Sequence, residues 1–246
     1  MKKSDTTLRG SIYEKVFYKS IKLFPYSFIT KIGFLGSFLN SDLKHYYSTA
    51  RRREKVFSDI VQYIYYNCIE GDYFEFGCHS GYGLSIFHRL IKSKKINQTR
   101  FFAFDSFEGF PEITGTDDYH SFKKGMLAYS YEDFQKVLTV NRMNDVIAIK
   151  GFFENVLTDE LQNQHGMKHA AIVFFDCDLY SSTKVALEFI KDKLQAGTIV
   201  VFDDYWLYRG DKNRGAQKAL AEFQEKWPNI QFREFSCPYS CFSKIF

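Results

Sequence analysis

Two hydrophobic runs separated by one helical pattern constrain this fold more than any other feature of the chain. Residues 171–175 and 198–202 are apolar, rich in β-branched and aromatic side chains, and about as long as strands that are buried on both faces. Between them, residues 181–197 predict a helix that starts at a serine and stops at Gly197. A strand, a helix and a strand in this order form one right-handed crossover, so the two strands are parallel and their carboxyl ends share one edge of the sheet.

Aspartates follow both runs. Asp176 and Asp178 come after the first run, and Asp203 and Asp204 come after the second, so Asp176, Asp203 and Asp204 are expected to converge on the same edge. Carboxylates gathered in this way repel each other unless a cation compensates, and three of them suit a hard cation such as Mg²⁺. We therefore predict that Asp176, Asp203 and Asp204 bind a divalent metal. Asp178 stands just before two serines, where helix caps occur, and we interpret it as a cap.

Strand and helix patterns alternate along the rest of the chain. Further strands are predicted near residues 72–77, 100–105, 145–151, 230–235 and 241–246, and further helices near 83–94, 131–139 and 215–226. This alternation predicts an α/β fold with a doubly wound, mostly parallel, seven-stranded sheet. Residues 1–60 have helical patterns without strand patterns, so we predict an N-terminal helical cap or oligomerisation segment there, followed by one domain at residues 61–246.

A glycine-rich loop follows the first predicted strand. Its sequence, EFGCHSGYG at residues 75–83, leads into a helix, where backbone amides and the helix start favour a polar or anionic ligand. The next predicted strand ends in Asp105, an acidic residue placed to hydrogen-bond ribose hydroxyls. The loop and Asp105 together predict a nucleoside-type ligand. His79, inside the loop, is interpreted as a local contact.

Composition excludes several classes of protein. The formal charge of +4 is small, and the basic residues are scattered apart from residues 51–53, which we interpret as a solvated helix face, so nucleic-acid binding is not expected. Five cysteines without a CxxC pair predict reduced thiols in the cytoplasm. The apolar stretch 21–39 is interrupted by Pro25 and Lys31, so no transmembrane helix is expected. Aromatic residues reach 19%, with 27 Phe, and suggest an apolar pocket or an oligomer surface.

Three other functions fit parts of the sequence. A short-chain dehydrogenase would also use a glycine loop and a ribose acid, and two Tyr-x-x-x-Lys pairs exist, at residues 119–123 and 180–184. The aspartates at 176 and 178 form a DxD, which sugar-nucleotide glycosyltransferases use to hold a metal and a diphosphate. A nucleoside-binding protein without turnover is the third alternative.

Five motifs in order resemble a known family. The segments EFGCHSGYG, FDSFEGFPE, GFFENVL, DCDLYSSTKVALEFI and GTIVVFDDYW, the last followed by GAQKALAEF, are similar to the macrocin O-methyltransferase family of the TylF/MycF type, which methylates sugar hydroxyls of natural products. The resemblance covers about residues 70–226.

The resemblance implies a class I methyltransferase fold, S-adenosylmethionine as methyl donor and a Mg²⁺ site. It implies that Asp176, Asp203 and Asp204 are metal ligands, that Asp176 is also the catalytic base, and that Asp105 is the ribose acid. The predicted cofactor-binding residues are Glu75, Gly77, Cys78, His79, Ser80, Gly81, Asp105, Ser106, Gly151 and Phe152. The implied acceptor is a small glycosyl or sugar-nucleotide molecule, with a catechol as the alternative, and the N-terminal helices are a candidate for homo-oligomer contacts.

Overall fold

The protein forms one mixed sheet with helices on both faces. The computed structural model describes residues 41–235 and 240–245, so the helical pattern predicted for residues 1–40 lies outside the described part. Seven strands lie in the order β3-β2-β1-β4-β5-β7-β6. Their bounds are β1 Asp72–Phe76, β2 Phe101–Asp105, β3 Val146–Lys150, β4 Ala170–Phe175, β5 Leu194–Phe202, β6 Gln231–Phe235 and β7 Ser240–Ile245. The first five strands in this order, β3, β2, β1, β4 and β5, are parallel to one another. Strand β7 is antiparallel to both of its neighbours, β5 and β6. This sheet confirms the predicted fold class.

The helices cover both faces of the sheet. Their bounds are α1 Ser41–Tyr66, α2 Tyr82–Ser93, α3 Tyr131–Val140, α4 Phe153–Val156, α5 Asp159–Gln164, α6 Tyr180–Ile190 and α7 Gly215–Lys226. In α7, Ala216, Ala219, Leu220 and Phe223 are buried, and this i, i+3, i+4, i+7 spacing places one apolar stripe against the sheet. Helices α6 and α7 share one core with the sheet, and α1 and α2 share the other. None of the helices in the described ranges is long and apolar enough to cross a membrane.

Helix α1 belongs to the core of the sheet domain. It crosses the predicted boundary at residue 60 and ends at Tyr66. Phe57 is fully buried, stacks on Phe87 at 4.0 Å between ring centroids, and meets the edge of Phe174 at 5.3 Å. The C-terminal half of α1 therefore completes one face of the sheet. The division into residues 1–60 and 61–246 stays a prediction.

The predicted stop of helix α6 at Gly197 is wrong. The helix ends at Ile190, a short 3₁₀ turn follows at Lys191–Lys193, and Gly197 lies inside β5. Ala170 pairs with Leu194 and Ile172 with Ile199, so an advance of two residues on β4 matches five on β5. This bulge needs the φ of +89° that Gly197 adopts, which explains why the glycine is there.

Four phenylalanines stack side by side across the central strands. Phe104, Phe76, Phe175 and Phe202 lie on β2, β1, β4 and β5, with ring centroids 4.8, 5.2 and 4.9 Å apart. They are register partners across the three strand pairs. Each is followed by a predicted site residue, namely Asp105, Gly77, Asp176 and Asp203. The phenylalanine row therefore fixes the level at which the four strands end.

Candidate functional site

The site lies where the parallel strands end. Backbone hydrogen bonds continue one residue past each strand: the amides of Gly77, Asp176 and Asp203 donate to Phe104, Phe76 and Phe175, at 2.8, 2.8 and 3.0 Å. A cleft of about 280 Å³ opens at this edge. Parallel α/β sheets bind ligands at the carboxyl ends of their strands, and the cleft occupies that position.

The glycine loop packs directly on the end of β4. Gly77 has φ +91°, and a Cβ atom there would lie 2.0 Å from the backbone oxygen of Asp176. Only glycine allows the two strand ends to approach this closely. Gly81 has φ +76° and begins α2, with its hydrogen facing the ring of Phe134. The loop glycines are therefore explained by backbone geometry, which also holds the loop beside the acidic strand end.

Asp105 is bound to the loop that it faces. Its carboxylate accepts hydrogen bonds from the backbone amides of His79 and Phe107, both at 2.7 Å. Burial raises the pKa of Asp105, and the two amides oppose that rise by stabilising the charged form. The Ser106 hydroxyl donates to the Gly109 carbonyl at 2.9 Å, so its hydrogen is engaged within the loop after β2.

Some of the predicted cofactor residues line the cleft, and others are buried. Gly77, His79, Asp105, Ser106 and Phe152 line it. Glu75, Cys78 and Ser80 are buried.

Glu75 supports the loop from within the core. It accepts a short hydrogen bond from the Tyr73 hydroxyl. Burial raises its pKa to about 8, and that hydrogen bond opposes the rise. Gly151 is held against Val156 and lets the chain turn into Phe152.

The three predicted metal aspartates come together. One carboxylate oxygen from each of Asp176, Asp203 and Asp204 lies within 4.8 Å of the others. Burial is the first cause of the raised pKa of all three, and neighbouring carboxylates add to it for Asp176 and Asp204. The pKa of Asp204 rises to about 8. Oδ1 of Asp203 is buried without a hydrogen-bond partner in the described part of the protein.

Asp178 is part of this acidic cluster, and its interpretation as a helix cap is wrong. It has a left-handed φ of +57°, and its carboxyl group interacts electrostatically with those of Asp203 and Asp204. Burial raises its pKa to about 6. Helix α6 begins one residue later, with Leu179 at the N-cap position and no side-chain bond from that residue. The first amides of α6 are satisfied from elsewhere in the chain.

The residue that caps helix α6 is Asp117, in the segment 107–130. Its carboxylate accepts from the amide of Tyr180 at 2.6 Å and from the amide of Ser181 at 3.3 Å. The backbone oxygen of Asp117 accepts from the Tyr208 hydroxyl at 3.4 Å, and Nε of Arg214 donates to the Thr116 oxygen at 3.3 Å. Residues 116 and 117 are thus attached to the start of α6 and to the loop after β5.

Arg53 also enters the site, which the sequence did not indicate. Its Nη2 atom lies 2.6 Å from Oδ2 of Asp203, and its side chain is 21% exposed. Arg51 and Arg52 are exposed as predicted, but the solvated-face interpretation is wrong for Arg53. It is also the sole lysine or arginine among the described residues that line the cleft.

Comparison of the sequence with known protein families assigns the chain to one of them. The sequence profile of the macrocin-O-methyltransferase (TylF) family matches residues 43–229. The chain belongs to the macrocin O-methyltransferase family. A curated relative from Streptomyces olivaceus, 8-demethyl-8-(2,3-dimethoxy-alpha-L-rhamnosyl)-tetracenomycin-C 4'-O-methyltransferase, is 31% identical over 147 residues, 56% of this chain and 54% of the relative. The chain thus spans about half the length of that relative.

Two solved methyltransferase structures share the fold. The O-methyltransferase NovP has a TM-score of 0.63 at 20% identity, over 79% of this chain and 80% of its own. The calicheamicin methyltransferase CalS11 has a TM-score of 0.62 at 19% identity, over 99% of this chain and 94% of its own. These likenesses support the class I methyltransferase fold that the resemblance implied.

The positions of the two Tyr-x-x-x-Lys pairs argue against a short-chain dehydrogenase, in agreement with membership of the macrocin O-methyltransferase family. Lys184 donates to the Tyr180 hydroxyl at 2.9 Å, and both contact Glu222 between α6 and α7, outside the cleft. Tyr119 packs its ring against Tyr208. Neither tyrosine is placed as a dehydrogenase acid.

The loop after β5 contributes one exposed aromatic side chain. Trp206 is 69% exposed and meets the ring of Tyr205 edge-on at 5.4 Å. Tyr208 is buried, with the guanidinium of Arg214 4.6 Å above its ring. Trp206 is therefore the aromatic side chain of this loop that faces solvent.

Proposed function

We propose that this protein transfers a methyl group from S-adenosylmethionine to a hydroxyl of a sugar or of a glycosylated small molecule, with Mg²⁺ at the acidic cluster. The observation that carries this proposal is the cluster of Asp176, Asp203 and Asp204 on the same sheet edge as the glycine loop and Asp105. The family supports methyl transfer, and the names of the Streptomyces olivaceus relative and of CalS11, described as a TDP-rhamnose 3'-O-methyltransferase, support a sugar acceptor.

The acidic cluster fits a hard divalent cation. It offers carboxylate oxygens only, which Mg²⁺ prefers, and Oδ1 of Asp203 is buried with no hydrogen-bond partner among the described residues. A buried polar atom without a partner is costly, so a ligand that satisfies it is expected. Asp176, Asp203 and Asp204 would hold the cation, which when bound stabilises negative charge on an acceptor oxygen.

The donor side of the cleft is built to hold a nucleoside. Asp105 would accept hydrogen bonds from the ribose hydroxyls while the amides of His79 and Phe107 keep its carboxylate in place. Phe152 and Phe153 both line the cleft, and Phe152 is the proposed aromatic contact of the base because Phe153 is buried against Phe76. The donor is chemically activated already, so the protein mainly needs to align the acceptor oxygen with the methyl carbon.

Asp176 is the proposed base. It lies at the end of β4, where it belongs to the cluster that would hold the cation and lines the cleft together with the loop that would hold the donor. As the bond from the acceptor oxygen to the methyl carbon forms and the bond from sulfur to that carbon breaks, the carboxylate of Asp176 takes the hydroxyl proton. The products are the methyl ether, S-adenosylhomocysteine and protonated Asp176, which returns its proton to solvent.

The test is a methyl-transfer screen over sugar nucleotides and glycosides, with Mg²⁺ and with a chelator. We expect transfer that the chelator abolishes, and a large loss of turnover in the double variant Asp203→Asn/Asp204→Asn. Asp192→Asn, on a side chain that is 74% exposed and outside the cleft, is the matched control. Isothermal titration with S-adenosylhomocysteine checks the donor site separately. Transfer to catechols alone would contradict the sugar acceptor, and metal-independent turnover of the double variant would contradict the metal site.

Two further expectations stay proposals. We propose a cytoplasmic location, supported by the free thiols of Cys68, Cys78 and Cys177. A homo-oligomer formed through the N-terminal helices also stays a prediction.

A further inference from the structure

Helix α1 carries Arg53 into the acidic cluster through a fixed geometry. Phe57 lies one turn after Arg53 on the same helix face and is wedged between Phe87 and Phe174. Phe174 is two residues before Asp176, so this contact holds the helix beside the end of β4. Arg53 then reaches past the strand end to Asp203 on the neighbouring strand. The position of the guanidinium is therefore set by core packing of α1.

The contact between Arg53 and Asp203 distinguishes the two oxygens of that carboxylate. Nη2 of Arg53 donates a hydrogen bond to Oδ2 at 2.6 Å. Oδ1 is buried and has no hydrogen-bond partner in the described residues. With one oxygen held by a guanidinium, the carboxylate cannot rotate without breaking a charge-assisted hydrogen bond, so Oδ1 stays available to a cation.

The cluster has enough carboxyl groups for both the guanidinium and a divalent cation. Asp176, Asp178, Asp203 and Asp204 interact with one another, and Arg53 contacts one of them, Asp203. Three carboxyl groups then remain beside the guanidinium. Arg53 therefore neutralises one carboxylate of the group and leaves the group attractive to a divalent cation.

We propose that Arg53 is a positioning residue for the metal ligand Asp203, supplied to the site by helix α1. This inference rests on the proposed metal site. Arg53 acts through Asp203: it fixes the carboxylate so that Oδ1 is presented beside Asp176 and Asp204. Partners that orient metal ligands typically change metal affinity by roughly 10- to 100-fold when they are removed.

The experiment measures Mn²⁺ binding directly, by electron paramagnetic resonance of the free ion and by isothermal titration. Wild type, Arg53→Met and Arg53→Lys are compared, with Arg52→Met as the control on an exposed position of the same helix. We expect Arg53→Met to weaken Mn²⁺ binding by roughly 10- to 100-fold, Arg53→Lys to weaken it less, and Arg52→Met to leave it unchanged. Binding of S-adenosylhomocysteine by each variant shows that the fold is retained.

The outcomes separate this inference from the proposed function. If wild type binds no Mn²⁺, the metal site itself is wrong, and the role of Arg53 falls with it. If wild type binds Mn²⁺ and Arg53→Met binds it equally well or more tightly, the positioning role alone is overturned, and tighter binding would make Arg53 a competitor of the metal. Should Arg53→Met not fold, Arg53→Lys keeps the test, because it retains the charge without the guanidinium. The inference is overturned if Arg53→Lys binds Mn²⁺ as tightly as wild type and the metal dependence of the separate variant Asp203→Asn is also unchanged.

Discussion

Removing the carboxylate of Asp117 should loosen segment 107–130 from the start of α6. Asp117 is 5% exposed, and its carboxylate accepts from the first amides of α6, at Tyr180 and Ser181. In Asp117→Ala these amides lose their acceptor, and the positive end of the helix dipole loses a negative charge. Loss of a helix cap costs typically about 1 kcal/mol, and a partly buried charge at a helix end contributes up to about 2 kcal/mol, so we expect a total near 2 kcal/mol.

Thermal unfolding measures this loss. For a chain of this size, about 2 kcal/mol corresponds to a midpoint lower by roughly 4–8 °C. Asp117→Asn keeps the acceptor oxygen and should lose only the charge contribution, about 0.3–1 kcal/mol. Asp118→Ala removes the same charge from the next position, which is exposed, and is the matched control. The reasoning is refuted if Asp117→Ala and Asp118→Ala unfold at the same temperature.

Three further changes test other parts of the structure. Gly77→Ala places a Cβ atom 2.0 Å from a backbone oxygen of β4, so it should destabilise the protein by about 3 kcal/mol or more and abolish S-adenosylhomocysteine binding, whereas Gly125→Ala, with a similar φ and nothing within 4 Å, should cost less than half as much in a denaturant titration. Because burial raises the pKa of Asp204 from 3.8 to about 8, its contribution to stability without metal is present below about pH 4 and lost as the pH rises through about 8. Mg²⁺ binds the ionised form, so the rise in melting temperature on adding Mg²⁺ should be larger near pH 8.5 than near pH 5.5, and equal rises would argue against the metal site. Phe57→Ala should cost about 3–5 kcal/mol and Tyr66→Ala, 73% exposed, less than about 0.5 kcal/mol; equal costs would show that α1 is not part of the core.

The sheet and its acidic edge could be predicted because local patterns determine them. Buried parallel strands are continuous apolar runs, and the short crossover between β4 and β5 has one allowed hand. Once these strands are parallel neighbours, Asp176 and Asp203 must end at one edge, and the structure brings them together with Asp204. The order of the edge strands and the length of β5 could not be predicted in this way, because the bulge at Gly197 depends on pairing with β4.

The residues that complete the site come from distant segments and leave no local signal. Arg53 is 150 positions from Asp203, and Asp117 is 63 positions from Tyr180. A basic run on a helix and an aspartate in a loop are each typical of solvated surface, so their sequence context favoured the wrong environment. Asp178 shows the same limit: the serines after it suggested a cap, but the amide of Tyr180 at the start of α6 donates to Asp117, which lies outside the crossover.

The phenylalanine content has a structural meaning that composition alone did not give. An excess of aromatic residues suggested an apolar pocket or an oligomer surface, yet the row of Phe104, Phe76, Phe175 and Phe202 lies in the core on one face of the sheet. Since side chains alternate along a strand, a slip of one residue in β4 would turn Phe175 out of this row and move its following aspartate away from the cluster. Stacking of flat rings in register opposes such a slip, because the rings fit only when all four strands end at the same level. The core and the chemistry of the edge are therefore coupled: the side chains that stabilise the sheet also set the distance between the proposed base and its neighbouring carboxylates.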